Sequence, residues 1–342
     1  MSLLTVNILQ IRDSSFMIGA QSGKWIQTKP ILNTFELITK PEIDVSEMQS
    51  IFASLAPHLL DELDGLAQSL GITSDKAAAL FSGYDVPKTE AMGCTAFITP
   101  DYYVRNYDFS PSLYDGVFSL IQPEKAFATA GYNLQVLGRH DGVNDKGLVC
   151  GLHFVSNDDY RTGISAWTAV RIVLDTCASV EDAIRVLTKI PHAACYNFSL
   201  ADREGNLAVV EATPEGVKVR AGEKSLTCVN HFQDSDLQNK NRPHIEGSIQ
   251  RNNFLNDLVY EDLNQHELFT TFADLDSPLF FTDYDELFGT LHTFSYSFKD
   301  SKILTALAQS TNVLEINFED WVKGMNIPER LVTGIIEEGS KI

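Results

Sequence analysis

A glycine and a cysteine at the head of an apolar run, within Ala91-Met92-Gly93-Cys94-Thr95-Ala96-Phe97, are the residues here best suited to chemistry. A cysteine thiol has a reference pKa of about 8.5, so only a few per cent is thiolate at neutral pH and it needs a base. Cleavage between Gly93 and Cys94 would create one. The freed α-amine, with a reference pKa of about 7.7–8.0, would sit on the same residue as the nucleophile. The uncut chain lacks that amine and is expected to be inactive. Gly93, without a Cβ, lets the peptide adopt strained conformations and lets the thiol approach its carbonyl. A buried core cysteine opening a strand fits the same two residues.

Arg105 and Asp108 follow in Val104-Arg105-Asn106-Tyr107-Asp108-Phe109, after a turn at Pro100-Asp101 that sends the chain back. Residues three apart in a regular strand face opposite sides. For both to face Cys94, the chain must bend at Asn106-Tyr107, or one side chain must reach round the strand end. Asp108 would orient the new α-ammonium, and Arg105 would keep the thiolate and Asp108 ionised. An exposed ion pair of small energetic weight is the plainer reading. Asn230 ends an apolar strand. It suits a turn, or an amide donor to a tetrahedral oxyanion, typically worth about 3–4 kcal/mol. A backbone N–H near His153 is a second candidate oxyanion donor, and a hydrogen-bonded core histidine is the alternative. Arg251 stands near the start of an expected helix, facing either the site or solvent. Asn197 reads as a core or turn-bonding residue. His231 and His292 open a rival scheme, a papain-like Cys94–His dyad that needs no self-cleavage. The local sequence of papain-like nucleophiles is missing, however, and Cys94 opens a strand rather than a helix. A non-catalytic binding protein that keeps the fold is the other rival.

These residues need a scaffold. The chain has 342 residues and 44% apolar content, enough for one large domain or two ordinary ones. A net charge of −20 argues against nucleic acid or an anionic membrane surface as partner. No apolar run is long enough to span a bilayer. The N-terminal residues carry no secretion signal. The odd cysteine count, Cys94, Cys150, Cys177, Cys195 and Cys228, has no metal-type spacing. It fits reduced thiols in a cytoplasmic protein rather than a disulfide framework or zinc site.

Thr5 to Arg12 reads as a strand, 13–15 as a turn, and Phe16 to Ala20 as its partner. Asp44 and Glu47 resemble a helix-opening capping arrangement. Met48, Ile51, Phe52 and Leu55, then Leu59 to Leu70, recur at helical spacing, with Gly71 as a stop. A short helix at Ser74–Phe81 leads to a loop that delivers the chain to Gly93. Strands are expected at 94–99, 102–106, 116–122, 127–130 and 147–155. Helices follow at 166–177 and 180–190, the second capped by Ser179. Further strands are expected at 195–201, 207–211, 217–220 and 225–230. A polar loop at 233–247 precedes a helix at 248–258. Late strands fall at 290–297, 303–308 and 313–318. This order predicts an α+β layered architecture.

The residues Gly93-Cys94-Thr95, Arg105-Asn106-Tyr107-Asp108, Asn144-Asp145-Lys146-Gly147-Leu148 leading to Gly151-Leu152-His153-Phe154, and Asn230-His231-Phe232 together resemble the N-terminal-nucleophile cysteine amidases. They resemble in particular the acyl-coenzyme A:6-aminopenicillanate acyltransferase family, and more distantly the choloylglycine hydrolases and penicillin V acylases. Leu59-Leu60-Asp61-Glu62-Leu63-Asp64-Gly65-Leu66-Ala67 is similar to the family's leader-segment helix, and the resemblance spans about residues 5–315. It implies a four-layer αββα sandwich (Ntn-hydrolase type) with two central antiparallel sheets. It also implies self-cleavage into 1–93 and 94–342 within one structural domain. The expected substrate is a small-molecule acyl amide or thioester, with no metal or cofactor, no nucleic acid or membrane, and oligomerisation left open. By resemblance, Cys94 is the nucleophile, Asp108 the carboxylate near its amine, and Arg105 the hydrolases' arginine. Asn230 is an oxyanion residue and Arg251 an arginine near the site. Ala96 stands where the acyltransferase has a threonine, and His153 where the bile-salt hydrolases have an asparagine.

Overall fold

The computed structural model describes residues 2–88, 93–284 and 288–337. The chain opens with strand β1 (Ser2–Asp13) and then five helices: α1 (Ser15–Ile26), α2 (Ile31–Ile38), α3 (Val45–Leu55), α4 (His58–Leu70) and α5 (Ser74–Phe81). The strand expected at 16–20 is instead the start of α1. Ser14 caps it by accepting from the Met17 N–H, and Ser15, Ile18, Gly19, Gly23 and Ile26 are buried at a helical period. The alternation of Phe16, Ile18 and Ala20 imitates a strand because glycines occupy the other positions facing a neighbour. Those glycines let α1 and α4 touch backbone to backbone. A Cβ on Gly19 would lie 1.9 Å from the Glu62 carbonyl oxygen, and one on Gly65 would lie 2.0 Å from that of Phe16. Asp44 caps α3 through the Glu47 N–H, and Gly71 ends α4 in the left-handed region at φ 67°. Helix α2, which the sequence reading left out, is short and buries only Phe35.

The strand-rich part follows with β2 (Gly93–Ile98), β3 (Tyr102–Phe109), β4 (Val117–Pro123), β5 (Thr129–Leu134), β6 (Gly138–Arg139), β7 (Asp141–Asn144) and β8 (Val149–Ser156). Helices α6 (Ala166–Thr176) and α7 (Val180–Lys189) lead to β9 (Cys195–Ala201), β10 (Leu207–Thr213), β11 (Gly216–Gly222) and β12 (Leu226–Cys228). Then come α8 (Glu246–Asn256), α9 (Gln265–Ala273), β13 (Thr282–Asp283), β14 (Phe288–Ser297), β15 (Lys302–Leu307), β16 (Leu314–Asn317), α10 (Phe318–Val322) and β17 (Leu331–Ile336). The strand expected at 225–230 stops at Cys228, and the helix expected at 248 starts at Glu246. The early end of β12 leaves Val229-Asn230 outside the sheet pairing. The Asn230 N–H donates instead to Ser248 Oγ at 2.9 Å.

Two sheets form the centre. One runs β11-β10-β9-β8-β7-β5-β4-β1-β17, with β6 on β5; the other runs β12-β2-β3-β14-β15-β16, with β13 on β14. The expectation of purely antiparallel sheets fails at one pair: β1 and β4 are parallel. Helices α1–α5 and then strands β2 and β3 of the other sheet carry the chain from one end of β1 back to the start of β4, the long crossover that a parallel pair requires. Helices α1, α6 and α7 cover the outer face of the large sheet, with α4 packed on α1, and α8 and α9 cover the small one. The inner faces meet through buried pairs such as Tyr132 Oη with Thr305 Oγ1 at 2.6 Å and Tyr103 Oη with Ser199 Oγ at 2.8 Å. The result is an α+β, four-layer αββα sandwich, as expected.

The segment before β2 is built into this core. Strand β1 lies between β4 and β17. Arg171 on α6 donates to both carboxylate oxygens of Glu62 on α4 (3.3 and 2.7 Å), to Asp175 at 2.7 Å and to the Leu137 carbonyl at 2.9 Å. His58 Nε2 meets the same Asp175 at 2.8 Å. No helix among the described residues is long and apolar enough to cross a membrane.

Candidate active site

Strands β2 and β3 form a hairpin closed by Thr99, whose N–H donates to the Tyr102 carbonyl at 2.8 Å and whose Oγ1 accepts from the Tyr102 N–H at 2.9 Å. Its register pairs Cys94 with Tyr107, Ala96 with Arg105 and Gly93 with Asp108. Cys94, Arg105 and Tyr107 therefore share the face between the sheets, while Thr95, Asn106 and Asp108 share the face toward α8 and α9. The chain does not bend to bring Arg105 and Asp108 to one side. They flank the strand at Cys94 from opposite faces. The irregularity lies opposite, in β14, where the register slips between Thr290 and His292 beside Asp108 and Tyr107.

Gly93 is extended, not left-handed, so the strained backbone expected of it is absent. Space requires it: a Cβ there would lie 2.5 Å from the Phe288 ring and 3.0 Å from Asp108 Cβ. Ala91 and Met92 lie outside the described residues.

Cys94 is fully buried. Burial pushes its thiol up to about 11, against the pull of Arg105. Its N–H donates to Asn230 Oδ1 at 2.9 Å. Its carbonyl accepts from Arg251 Nη1 at 3.2 Å, and the same guanidinium donates to Thr95 Oγ1 at 2.6 Å and to Asn230 Oδ1 at 3.0 Å. Arg251 Nη1 is also 3.7 Å from Asp108 Oδ2. Asp108 accepts from Thr290 Oγ1 at 2.7 Å, and burial raises its carboxyl to about 6 despite Arg251. Cys94, Asp108, Asn230 and Arg251 thus form one connected cluster. Asn230 differs from expectation in orientation. Its carbonyl oxygen faces the Cys94 N–H, and its Nδ2 donates to the Phe154 carbonyl at 2.9 Å. Asn197 holds this turn by donating to the Val229 and His231 carbonyls, each at 3.0 Å.

Arg105 approaches from the other face. It donates to the carbonyls of His140 (2.6 Å) and Leu152 (2.9 Å) and pairs with Asp141 at 3.2 Å. Burial alone would lower its pKa, but Cys94, Asp141, Tyr103 and Tyr107 outweigh it and hold the guanidinium charged. Gly151 leaves it room: a Cβ there would lie 2.9 Å from Arg105 Nη1 and 2.3 Å from the Tyr103 hydroxyl. Asp141 also meets His292 Nε2 at 2.9 Å, while Tyr114 Oη meets His292 Nδ1 at 2.8 Å. Both nitrogens of His292 are therefore engaged, which leaves no lone pair for a Cys94 dyad. His231 Nδ1 pairs with Ser248 Oγ at 2.8 Å, and burial lowers its pKa to about 4. His153 Nε2 pairs with Ser199 Oγ at 3.0 Å, and burial holds this ring neutral. Sequence reasoning missed Asp141. The only signal was a run of polar residues, Arg139-His140-Asp141, ahead of apolar β8, and all three are buried.

Among the described residues no group of three or more His, Cys, Asp or Glu side chains is placed to hold a metal ion. All five cysteines are buried free thiols.

The sequence profile named for acyl-coenzyme A:6-aminopenicillanic acid acyl-transferase matches residues 98–312, more than half of the chain. The matched stretch begins after Cys94. No curated protein matches the sequence. Similar solved structures include penicillin V acylase from Agrobacterium tumefaciens, at 14% identity over 67% of this chain and 88% of that one, TM-score 0.43. A mutant of conjugated bile acid hydrolase from Clostridium perfringens shares 16% identity over 73% of this chain and 99% of its own, TM-score 0.46. An N-acylethanolamine-hydrolyzing acid amidase ortholog from Caenorhabditis elegans shares 13% over 61% and 95%, TM-score 0.42. At this level, these likenesses decide nothing about substrate.

Proposed function

From the acyl-coenzyme A:6-aminopenicillanic acid acyl-transferase family, to which this chain belongs, we propose a self-cleaving enzyme that moves acyl groups from linear amides or thioesters through Cys94. The observation that carries the proposal is the clamp on the Cys94 backbone. Asn230 accepts its N–H at 2.9 Å while Arg251 donates to its carbonyl at 3.2 Å. A cysteine that only fills a core has no use for buried side chains on both its N–H and its carbonyl.

In the precursor, the Cys94 sulfur attacks the Gly93 carbonyl, the Gly93–Cys94 C–N bond breaks, and the acyl group moves to sulfur. Water then hydrolyses that thioester, leaving the Gly93 carboxylate, the free thiol and the new α-amine. Asn230 Oδ1, already 2.9 Å from this nitrogen, keeps it in place, and Asp108 supplies the opposite charge once it is protonated. In turnover the thiol gives its proton to the α-amine and attacks the substrate carbonyl. The C–N bond breaks, the leaving amine takes the proton, and water or a second amine resolves the acyl-enzyme. Arg105 favours the thiolate from the inter-sheet side. Asn230 serves as an oxyanion donor when its Nδ2 leaves the Phe154 carbonyl; the backbone near His153 supplies the other donor.

The two pieces, 1–93 and 94–342, stay one folded unit through β1 and the Glu62–Arg171 pair. Buried free thiols suit a reducing compartment such as the cytoplasm. The test is to mix the protein with a medium-chain acyl-coenzyme A and digest it. An acyl adduct on the peptide beginning at Cys94, absent from Cys94→Ser, supports the reading, and an unmodified Cys94 in an acyl-transferring protein defeats it.

A further inference from the structure

We propose that the cavity at the end of β7 away from Cys94 is a second binding site for a small α-amino acid, with Arg203 and Tyr296 on its carboxylate and Asp145 on its ammonium. The cavity has a volume of about 100 Å³, and its lining includes Asp145, Arg203, Tyr296, Ser301, Phe318 and Val322. A bound water needs only about 10–15 Å³ of such space, so a molecule of several heavy atoms fits. Asp141, the partner of Arg105 beside Cys94, opens β7, and Asn144 ends it about 10 Å further along the strand. The site shares no residue with the Cys94 cluster, so the proposal stands or falls apart from the reading of Cys94.

The turn Asn144-Asp145-Lys146-Gly147 builds one wall. Asn144 is used by the fold. Its Nδ2 donates to the Leu174 and Cys177 carbonyls at 2.9 and 2.7 Å, and its Oδ1 accepts from the Lys146 and Leu148 N–H groups at 3.1 and 3.0 Å. The Asp145 carboxylate is left over: Oδ1 has no hydrogen-bond partner, and Oδ2 has only Lys146 at 3.5 Å. Gly147, at φ 82°, lets Arg203 lie across the turn, where a Cβ would be 3.1 Å from Arg203 Nε. Arg203 Nη2 donates to Ser301 Oγ at 3.3 Å, and the guanidinium has no ion pair among the described residues. Glu319, the other acid in the lining, is taken by Lys323 at 2.7 Å. Tyr296 on β14 is 1% exposed, and its hydroxyl has no hydrogen-bond partner among the described residues.

A buried hydroxyl without a partner is an exception in folded proteins. Here three unsatisfied groups share one cavity, and they differ in sign. The hydroxyl and the guanidinium fork donate, which suits a carboxylate. Asp145 only accepts, which suits an ammonium. An anion alone is repelled by Asp145, and a cation alone by Arg203. A zwitterion satisfies both, and Phe318 and Val322 leave an apolar wall for a short side chain.

Titration calorimetry with three probes tests this: L-alanine, ethylamine, which lacks the carboxylate, and propionate, which lacks the ammonium. We expect L-alanine to bind and each half-ligand to bind at least about tenfold more weakly. Arg203→Gln and Asp145→Asn each weaken L-alanine roughly 10–100-fold, the loss of a charged hydrogen bond, and Tyr296→Phe weakens it about tenfold or less. Arg203 is exposed and Tyr296→Phe keeps the ring, so both variants fold, which an unchanged Tm checks. No binding of L-alanine to the wild type overturns the proposal. A half-ligand that binds as tightly as L-alanine overturns it too. So does L-alanine binding that Arg203→Gln and Asp145→Asn leave unchanged, which would place the amino acid elsewhere.

Discussion

Arg171→Met tests how helix α4 is held. The guanidinium is fully buried and makes two bonds to Glu62, one to Asp175 and one to the Leu137 carbonyl. Methionine keeps much of the volume but leaves Glu62 without its partner, while Asp175 keeps only His58 at 2.8 Å. Breaking a buried pair from one side typically costs about 3–5 kcal/mol, because a carboxylate stays behind uncompensated. At about 2.1 cal/mol/K per residue, the unfolding entropy of this chain is roughly 0.7 kcal/mol/K, so a 4 kcal/mol loss lowers Tm by about 6 °C. The assay is thermal unfolding of the uncut Cys94→Ala chain with and without Arg171→Met. The double variant with Glu62→Gln recovers part of the loss, since the stranded charge is gone. A shift below about 1 °C would refute the reasoning, for the pair would then contribute no more than a surface contact. In the cut protein the same substitution loosens residues 1–93, read as leader released on size exclusion in mild urea.

Gly93→Ala places a methyl 2.5 Å from the Phe288 ring; overpacking of this kind costs about 1–3 kcal/mol, and we expect slower self-cleavage by intact mass together with a lower Tm. In the uncut chain the Cys94 thiol lies up at about 11 through burial. The fold favours its neutral form, so the stability this contributes is complete below the unfolded thiol's pKa and is lost as pH rises through about 11. Iodoacetamide should therefore label Cys94 in the uncut chain at least about tenfold more slowly at pH 8 than in the cut protein. Asp141→Asn removes the carboxylate that offsets Arg105 beside Cys94. Its thiol should titrate at lower pH in an alkylation profile, and an upward shift would mean that Asp141 acts by orienting Arg105 instead.

The strands and most helices around the site were legible because burial on one face or both imposes a period. Cys195–Ala201 and Ser74–Phe81 coincide with their expected bounds. Helix α1 was not legible, because its contact with α4 is made by glycines, which carry no hydrophobic signal. The closing strand β17 was missed as well, because its exposed Leu331 and Ile335 are as apolar as its buried Val332 and Ile336, so the alternation does not show in the sequence. At the site, the residue types around Cys94 were readable, but their sides were not. Whether Arg105 and Asp108 share a face depends on hairpin register, and the orientation of Asn230 depends on Phe154 and Arg251. Asp141 was hidden because nothing in a local sequence distinguishes a buried carboxylate from a turn residue.

The central claim is self-cleavage at Gly93–Cys94, and intact mass spectrometry of the purified wild type beside Cys94→Ala tests it most directly. The account predicts two species in the wild type, residues 1–93 and 94–342, and one full-length species in the variant. A single full-length mass in both, from protein that is active on acyl amides, would contradict it.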